Sequence, residues 1–146
     1  MKTYYSRDEI LSLIEGFESR TLPKEQWTHQ AHLVMAVWYL SMLDVPEATD
    51  IIRNGIKSYN AAVGGENTDT SGYHETITIF YIWFVKKFLT NANSENSLVE
   101  NTNNFCARYG DKNLPFEYYS KELLMSVEAR RKWVEPDLQP LLSLDL

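Results

Sequence analysis

The sequence predicts an all-α fold: a single-domain helical bundle of about five to six helices covering residues 1–146. Apolar residues recur at three- and four-residue spacing along most of the chain, which is the period of an amphipathic helix. Several of these segments begin with Ser or Asp followed three residues later by Glu, a pattern typical of helix N-termini. The chain also contains no internal repeat and no long linker, and its length is sufficient to bury one core.

The first helix begins at a capping box formed by Ser6 and Glu9. Tyr5 and Ile10 flank this box at the two positions of a hydrophobic staple. The apolar stripe then continues to Phe17. This pattern predicts an amphipathic helix that packs one face against the core.

The second helix is expected to begin near Thr28, a good N-cap residue, and to run to about residue 43. This segment is apolar almost all round, which predicts a central, buried helix. The third helix follows a second capping box, Asp44 and Glu47, with Pro46 tolerated in the first turn.

The fourth segment, residues 73–89, is the ambiguous one, because β-branched and aromatic residues dominate it and favour a strand on propensity alone. On a helical wheel extended to residue 90, however, five polar residues fall within one arc of roughly 120°. These residues are Glu75, Thr76, Lys86, Lys87 and Thr90. A strand would distribute them over both faces, so a helix is predicted.

The last third of the chain repeats the same signals. Ser97 and Glu100 predict another helix start, and Gly110 is a plausible residue just past its end. Residues 118–135 predict one or two short helices that stop before Pro136.

Composition limits the classes of partner. The net charge is −6 and the basic residues are dispersed, which argues against a nucleic-acid-binding protein. No apolar run approaches the ~20 residues of a membrane span, and the N-terminus has no signal-peptide core. Cys106 is the single cysteine, which excludes a disulfide framework and favours a reducing cytoplasm. A small-molecule substrate or ligand is the expected partner, and a homodimer is left open.

The three histidines of the chain are His29, His32 and His74. His29 and His32 are one turn apart on the same face of the second helix, and His74 opens the fourth segment on its apolar face. All three are therefore expected to point inward from first turns. They converge on one site only if these two helices run roughly parallel, or cross with their N-termini together.

A divalent metal is the expected reason for such convergence. Buried imidazoles need partners, and neutral imidazole is the commonest protein ligand of metals. Three histidines with an open fourth position predict a mononuclear site, which favours Zn and leaves Fe, Ni, Mn or Cu as alternatives. A small metalloenzyme follows as the leading hypothesis, a hydrolase or lyase by default and an oxygenase with a redox-active metal. The alternatives are a metal-free small-ligand-binding module and an interaction protein with structural histidines.

Glu75 is the candidate fourth ligand or acid–base group of this site. The alternative assigns it a capping role, because Gly72 as N-cap would place Glu75 at the third helical position, facing solvent. Both interpretations fit the sequence.

Four further residues are candidate substrate contacts. Asn67 and Asp69 lie in the polar loop of residues 63–72, which serves either as a lid beside the site or only as a helix connection. Tyr118 and Tyr119 precede a predicted helix and either reach the site or pack in the core.

Three blocks of the chain resemble a family of small, uncharacterised, mainly bacterial helical proteins. The blocks are WTHQAHL (27–33), GYHET (72–76) and ARRKWVEPDL (129–138), which match the patterns W-T-H-x-x-H-L, G-Y-H-E-T and A-R-x-x-W-V-x-P-D-L. This resemblance implies that the three histidines and Glu75 belong to the shared motifs. The site is also similar, in architecture only, to that of DinB-like helical bundles, which hold a metal with three histidines.

Overall fold

The computed structural model describes residues 4–141, and every regular element in that range is a helix. The α-helices are α1 (Arg7–Ser19), α2 (His29–Met42), α3 (Val45–Ala62), α4 (Glu75–Asn91), α5 (Leu98–Tyr109), α6 (Lys121–Leu124) and α7 (Val127–Arg131). Short 3₁₀ turns cover Lys24–Gln26 and Leu114–Glu117. The predicted all-α class is confirmed.

Two of the predicted capping boxes form in full. At the start of α1, the Glu9 amide donates to Ser6 Oγ (3.2 Å) and the Ser6 amide donates to the Glu9 carboxylate (3.0 Å). Ser97 and Glu100 repeat this exchange at the start of α5, with distances of 3.1 and 3.0 Å. Each box satisfies two amides that the helix itself leaves unpaired.

Single side chains cap α2 and α3. Thr28 Oγ1 accepts from the Ala31 amide (3.1 Å), as the sequence predicts. Asp44 accepts from the Glu47 amide (2.9 Å), but the structure assigns no return bond from Glu47, so the second predicted box is only half formed. An N-cap side chain is sufficient to begin a helix.

Helix α2 occupies the centre of the fold and packs against α1, α3, α4 and α5. Because it has neighbours on every side, most of its residues are buried. These are Ala31, Leu33, Val34, Met35, Ala36, Val37, Tyr39 and Leu40. The nearly uniform apolar character of this segment is the reason that it occupies the core.

The fourth segment is helical. The spacing of its polar residues predicted this correctly, although its β-branched and aromatic composition favoured a strand. One member of its predicted polar arc, Thr76, is nevertheless fully buried. Its hydroxyl donates to the Lys132 carbonyl (2.8 Å) and accepts from the Val134 amide (3.2 Å). The arc is therefore not a solvent face at this position, because the segment after α7 covers it.

The C-terminal region folds back over α4 through two short helices, α6 and α7, where one or two were predicted. Tyr119 is fully buried and donates its phenolic hydrogen to the Val134 carbonyl (2.6 Å). The Leu138 amide donates to the Tyr118 carbonyl (2.9 Å). These bonds fix the chain that follows α7 against the bundle. Within residues 4–141, no helix has the length and apolarity required to cross a membrane.

Candidate functional site

The N-terminal ends of α2 and α4 meet at a cavity of about 500 Å³, here called the α2–α4 cavity. Its aromatic and aliphatic walls include Trp27, Ile56, Val63, Tyr73 and Ile77. Its polar side chains include Lys24, His32, Asn60, Glu66 and His74. Two of the three histidines, His32 and His74, therefore share one cavity, whereas His29 does not line it.

His32 presents a neutral imidazole to this cavity. Its Nδ1 lies 2.7 Å from the Thr28 carbonyl oxygen, and because a carbonyl can only accept, Nδ1 carries the hydrogen. Nε2 then holds a lone pair, for which the described residues supply no donor. Burial lowers the pKa of His32 to about 4, against the opposing effect of the Thr28 hydrogen bond. The ring also packs on Trp27, with centroids 3.9 Å apart and an interplanar angle of 30°.

His74 uses both ring nitrogens within the protein. It is the N-cap of α4, where Nδ1 accepts from the Ile77 amide (3.1 Å). Nε2 lies 2.7 Å from the Leu124 carbonyl and must therefore carry the hydrogen. Burial holds the pKa of His74 below its ordinary value. The N-cap therefore lies two residues after Gly72, the N-cap of the capping alternative, and Glu75 occupies the first helical position rather than the third.

His29 is directed away from the cavity. Its ring packs edge-on against Tyr81, with centroids 5.3 Å apart. Its Nε2 is buried, with no hydrogen-bond partner in the described part of the chain. Burial lowers its pKa, Asp111 opposes this shift, and Lys112 adds to it.

The three-histidine metal site is wrong. Across residues 4–141, no group of three His, Cys, Asp or Glu side chains is placed to hold a metal ion. His29 faces Tyr81, and His74 has no ring nitrogen left to donate to a metal. The metalloenzyme hypothesis depended on this constellation and is withdrawn with it. The expected Zn, Fe, Ni, Mn or Cu cofactor consequently lacks a ligand set of three in this range.

Glu75 forms the centre of a polar cluster between α3 and α4. Its carboxylate accepts two hydrogen bonds from Arg53, from Nε (2.9 Å) and Nη2 (2.7 Å), and a third from the Tyr73 hydroxyl (2.6 Å). Burial by itself raises the pKa of Glu75, but the hydrogen bonds from Arg53 and Tyr73 and the Arg53 charge outweigh burial and lower it. The ionised carboxylate ties α3 to α4, and its acid–base role stays a prediction.

Asn67 and Asp69 hold the loop of residues 63–72 in place. Asn67 accepts from the Tyr73 amide (3.1 Å) and donates to the Lys57 carbonyl (3.0 Å). Asp69 accepts two hydrogen bonds of 2.7 Å from Arg131. Both side chains line a second cavity rather than the α2–α4 cavity. Their role as substrate contacts stays a prediction.

Tyr118 and Tyr119 lie within an aromatic cluster that includes Phe80 and Phe84 of α4. The Tyr118 ring lies 5.5 Å from Phe80 and 5.6 Å from Phe84, and the Tyr119 ring lies 6.2 Å from Phe80. Neither tyrosine lines the α2–α4 cavity. Their placement matches the packing alternative, and a contact with substrate stays a prediction.

Trp27 is a site residue that the sequence analysis did not identify. It precedes the N-cap Thr28, and His32 is the fourth residue of α2, so the pair occupies the two positions of a hydrophobic staple. The same rule predicts the pairing of Tyr5 and Ile10 at the start of α1. Applied at α2, it places the indole against the His32 ring.

The two bonds of His74 lead to a stability prediction. His74→Ala removes the cap of α4 and leaves the Leu124 carbonyl unpaired, which we expect to lower the free energy of unfolding by about 2–4 kcal/mol. His74→Asn keeps a good capping side chain and loses only the Leu124 bond, so we expect about half that loss. Urea unfolding of the two variants measures the difference. Equal losses would show that the cap contributes nothing.

No protein-family model, curated protein or solved structure matches this chain. The resemblance to the family with the three sequence blocks therefore stays a prediction, and the function is argued from the site alone.

Proposed function

We propose that the protein binds a small, planar organic molecule in the α2–α4 cavity, without a metal. The observation that carries this proposal is the state of His32: a neutral ring at the cavity wall, fixed by Thr28 and Trp27, with the Nε2 lone pair unused by the described residues.

The protonation state of His32 defines the polar group that the ligand must carry. With a pKa of about 4, His32 is neutral at physiological pH and is a weak base there. It serves as a fixed hydrogen-bond acceptor rather than as a proton carrier. A ligand that satisfies Nε2 must therefore present an N–H or O–H group to it.

The walls define the body of the ligand. Trp27 and His32 are packed together at one side of the cavity, and Ile56, Val63 and Ile77 contribute aliphatic surface. Flat, apolar rings pack well against such surfaces, and a volume of about 500 Å³ lies within the usual range for small-molecule sites. This combination favours an aromatic or conjugated ring system.

Charged side chains at the cavity edge add a second element of recognition. Lys24 and Glu66 both line the cavity, and both are exposed to solvent. They supply opposite charges where a polar end of the ligand would reach water. Exposed charges of this kind contribute modestly to affinity and more to orientation.

Two closely matched probes test the proposal. Indole is planar and carries one N–H donor, whereas 1-methylindole has the same rings without the donor. We expect indole to shift the amide resonances of cavity residues in NMR titrations and to bind about fivefold more tightly than 1-methylindole, the equivalent of one hydrogen bond.

Variants of His32 assign this preference to Nε2. His32→Asn retains a donor for the Thr28 carbonyl, but its shorter side chain places no acceptor at the position of Nε2, so we expect the preference for indole to disappear. His29→Asn, outside the cavity, is the matched control and should leave it unchanged. Equal affinities of the two probes for the unmodified protein, or shifts confined to residues outside the cavity, would overturn the proposal.

A further inference from the structure

A second cavity, of about 320 Å³, lies on the other side of Tyr73 and is lined by an unusual number of cations. Four basic side chains face it: Arg53, Lys57, Arg130 and Arg131. Among the described residues, two carboxylates, Glu75 and Asp69, accompany them. We call this the basic cavity. Its local excess of positive charge stands out in a protein whose net charge is −6.

Two of the four cations are neutralised by close partners. Arg53 forms a two-bond pair with Glu75 and an ion pair with Asp50 at 3.0 Å. Arg131 forms a two-bond pair with Asp69. These pairs engage both carboxylates. Lys57 and Arg130 form no ion pair of their own in residues 4–141, and the Lys57 charge helps to lower the pKa of Glu75.

Lys57 and Arg130 both contact Tyr73, and Arg130 is held mainly by the neighbouring Gly72 carbonyl. The Lys57 ammonium lies 5.1 Å from the centroid of the Tyr73 ring. Arg130 is partly buried and donates from Nη1 to the Gly72 carbonyl (2.9 Å) and the Tyr73 carbonyl (3.4 Å). Within residues 4–141, neither cation has a carboxylate within ion-pairing distance. The Nη2 and Nε donors of Arg130 also have no assigned acceptor in that range.

We propose that the basic cavity binds a phosphate oxyanion, either free phosphate or the phosphate group of a monoester. A guanidinium held by its Nη1 retains donors that suit the tetrahedral oxygens of phosphate, and a lysine ammonium supplies a second point charge. Two cations that form no ion pair suit the roughly two negative charges of a phosphate group at neutral pH. This proposal does not depend on a ligand in the α2–α4 cavity.

Inorganic phosphate is the first probe, titrated into the ¹⁵N-labelled protein at low ionic strength, with sodium chloride at matched ionic strength as the reference. We expect phosphate-specific, saturable shifts of the amides of residues 57, 68, 73 and 130. Methyl phosphate, titrated in parallel, distinguishes the sources: tighter binding than phosphate indicates a monoester, and weaker binding indicates the free ion.

Charge variants test the assignment in both directions. Lys57→Gln should weaken phosphate binding about fivefold, as expected for the loss of one nearby charge in a wet site. The control Lys121→Gln alters an exposed lysine that does not line the basic cavity and should change nothing. Asp69→Asn removes a competing carboxylate and releases Arg131, so it should tighten binding.

The gain expected for Asp69→Asn shows whether the basic side chains bind phosphate or only stabilise the fold. If the Asp69–Arg131 ion pair were only structural, breaking it would not increase the affinity for phosphate. Circular dichroism confirms that each variant is folded. The proposal is overturned if phosphate and chloride give the same shifts, or if Lys57→Gln and Lys121→Gln have the same affinity.

Discussion

Replacing Gly72 with alanine is expected to lower the free energy of unfolding by about 3–4 kcal/mol, because strain and overlap coincide there. Gly72 has a φ of +80°, which side-chain-bearing residues rarely adopt. A Cβ at this position would overlap the Glu66 carbonyl oxygen and lie 2.9 Å from the Asn67 Cα. Both neighbours belong to the same tightly folded loop, so the backbone itself must move.

The matched control for this substitution is Gly64→Ala. Gly64 has a similar φ of +87°, but a Cβ there would meet no atom within 4 Å. Gly64→Ala is therefore expected to lower the free energy of unfolding by about 1 kcal/mol, through backbone strain alone. Thermal and urea unfolding of the two variants separate overlap from backbone strain. Equal losses in both variants would contradict the tight packing of Gly72 against Glu66.

The Gly72 variant should also change both cavities. Gly72 lines the α2–α4 cavity, and its carbonyl accepts a hydrogen bond from Arg130 in the wall of the basic cavity. Displacing this loop end is expected to weaken indole and phosphate binding together, whereas Gly64→Ala should affect neither. NMR titration of the folded fraction measures both affinities.

Lowering the pH from 6.5 to 4 is expected to destabilise the protein by roughly 3 kcal/mol through His32 alone. Burial depresses the pKa of His32 from its ordinary value of 6.5 to about 4 in the folded state. Between these values the unfolded chain binds a proton that the folded protein does not, so stability falls as the pH falls. His29 and His74, whose pKa values are also lowered by burial, act in the same direction.

His32→Asn isolates this contribution. The variant keeps a donor for the Thr28 carbonyl but cannot titrate in this range. The stability difference between the unmodified protein and the variant should therefore shrink by roughly 3 kcal/mol between pH 7 and pH 4. Urea unfolding at intermediate pH values measures the difference. A constant difference across this range would contradict a neutral His32 in the folded state.

The sequence predicted the helices well, because the signals that begin and shape a helix act within one or two turns. The Ser6–Glu9 and Ser97–Glu100 boxes appear in full, and periodicity outweighed the strand-like composition of α4. Even the Trp27–His32 contact, which was not predicted, follows the same local rule as the staple at α1.

The sequence predicted part of the site. His32 and His74 share a cavity, as inward-pointing first turns of two meeting helices suggested. His29, one turn from His32, packs against Tyr81 instead of lining this cavity. A helical wheel gives the face of a side chain but does not specify which neighbour that side chain contacts. The three histidines therefore do not converge, and in residues 4–141 they do not form the three-histidine metal site that their shared faces suggested.

By itself, the sequence determined an all-helical chain, the helix starts with their caps, and the apolar segment that becomes the central helix. Only the tertiary structure decided which polar groups remain available for chemistry. His74 donates to the carbonyl of Leu124, 50 residues further along the chain, and Thr76 bonds to the segment after α7. A buried polar group must find a partner wherever packing supplies one, and packing brings together atoms whose separation along the chain no local pattern encodes.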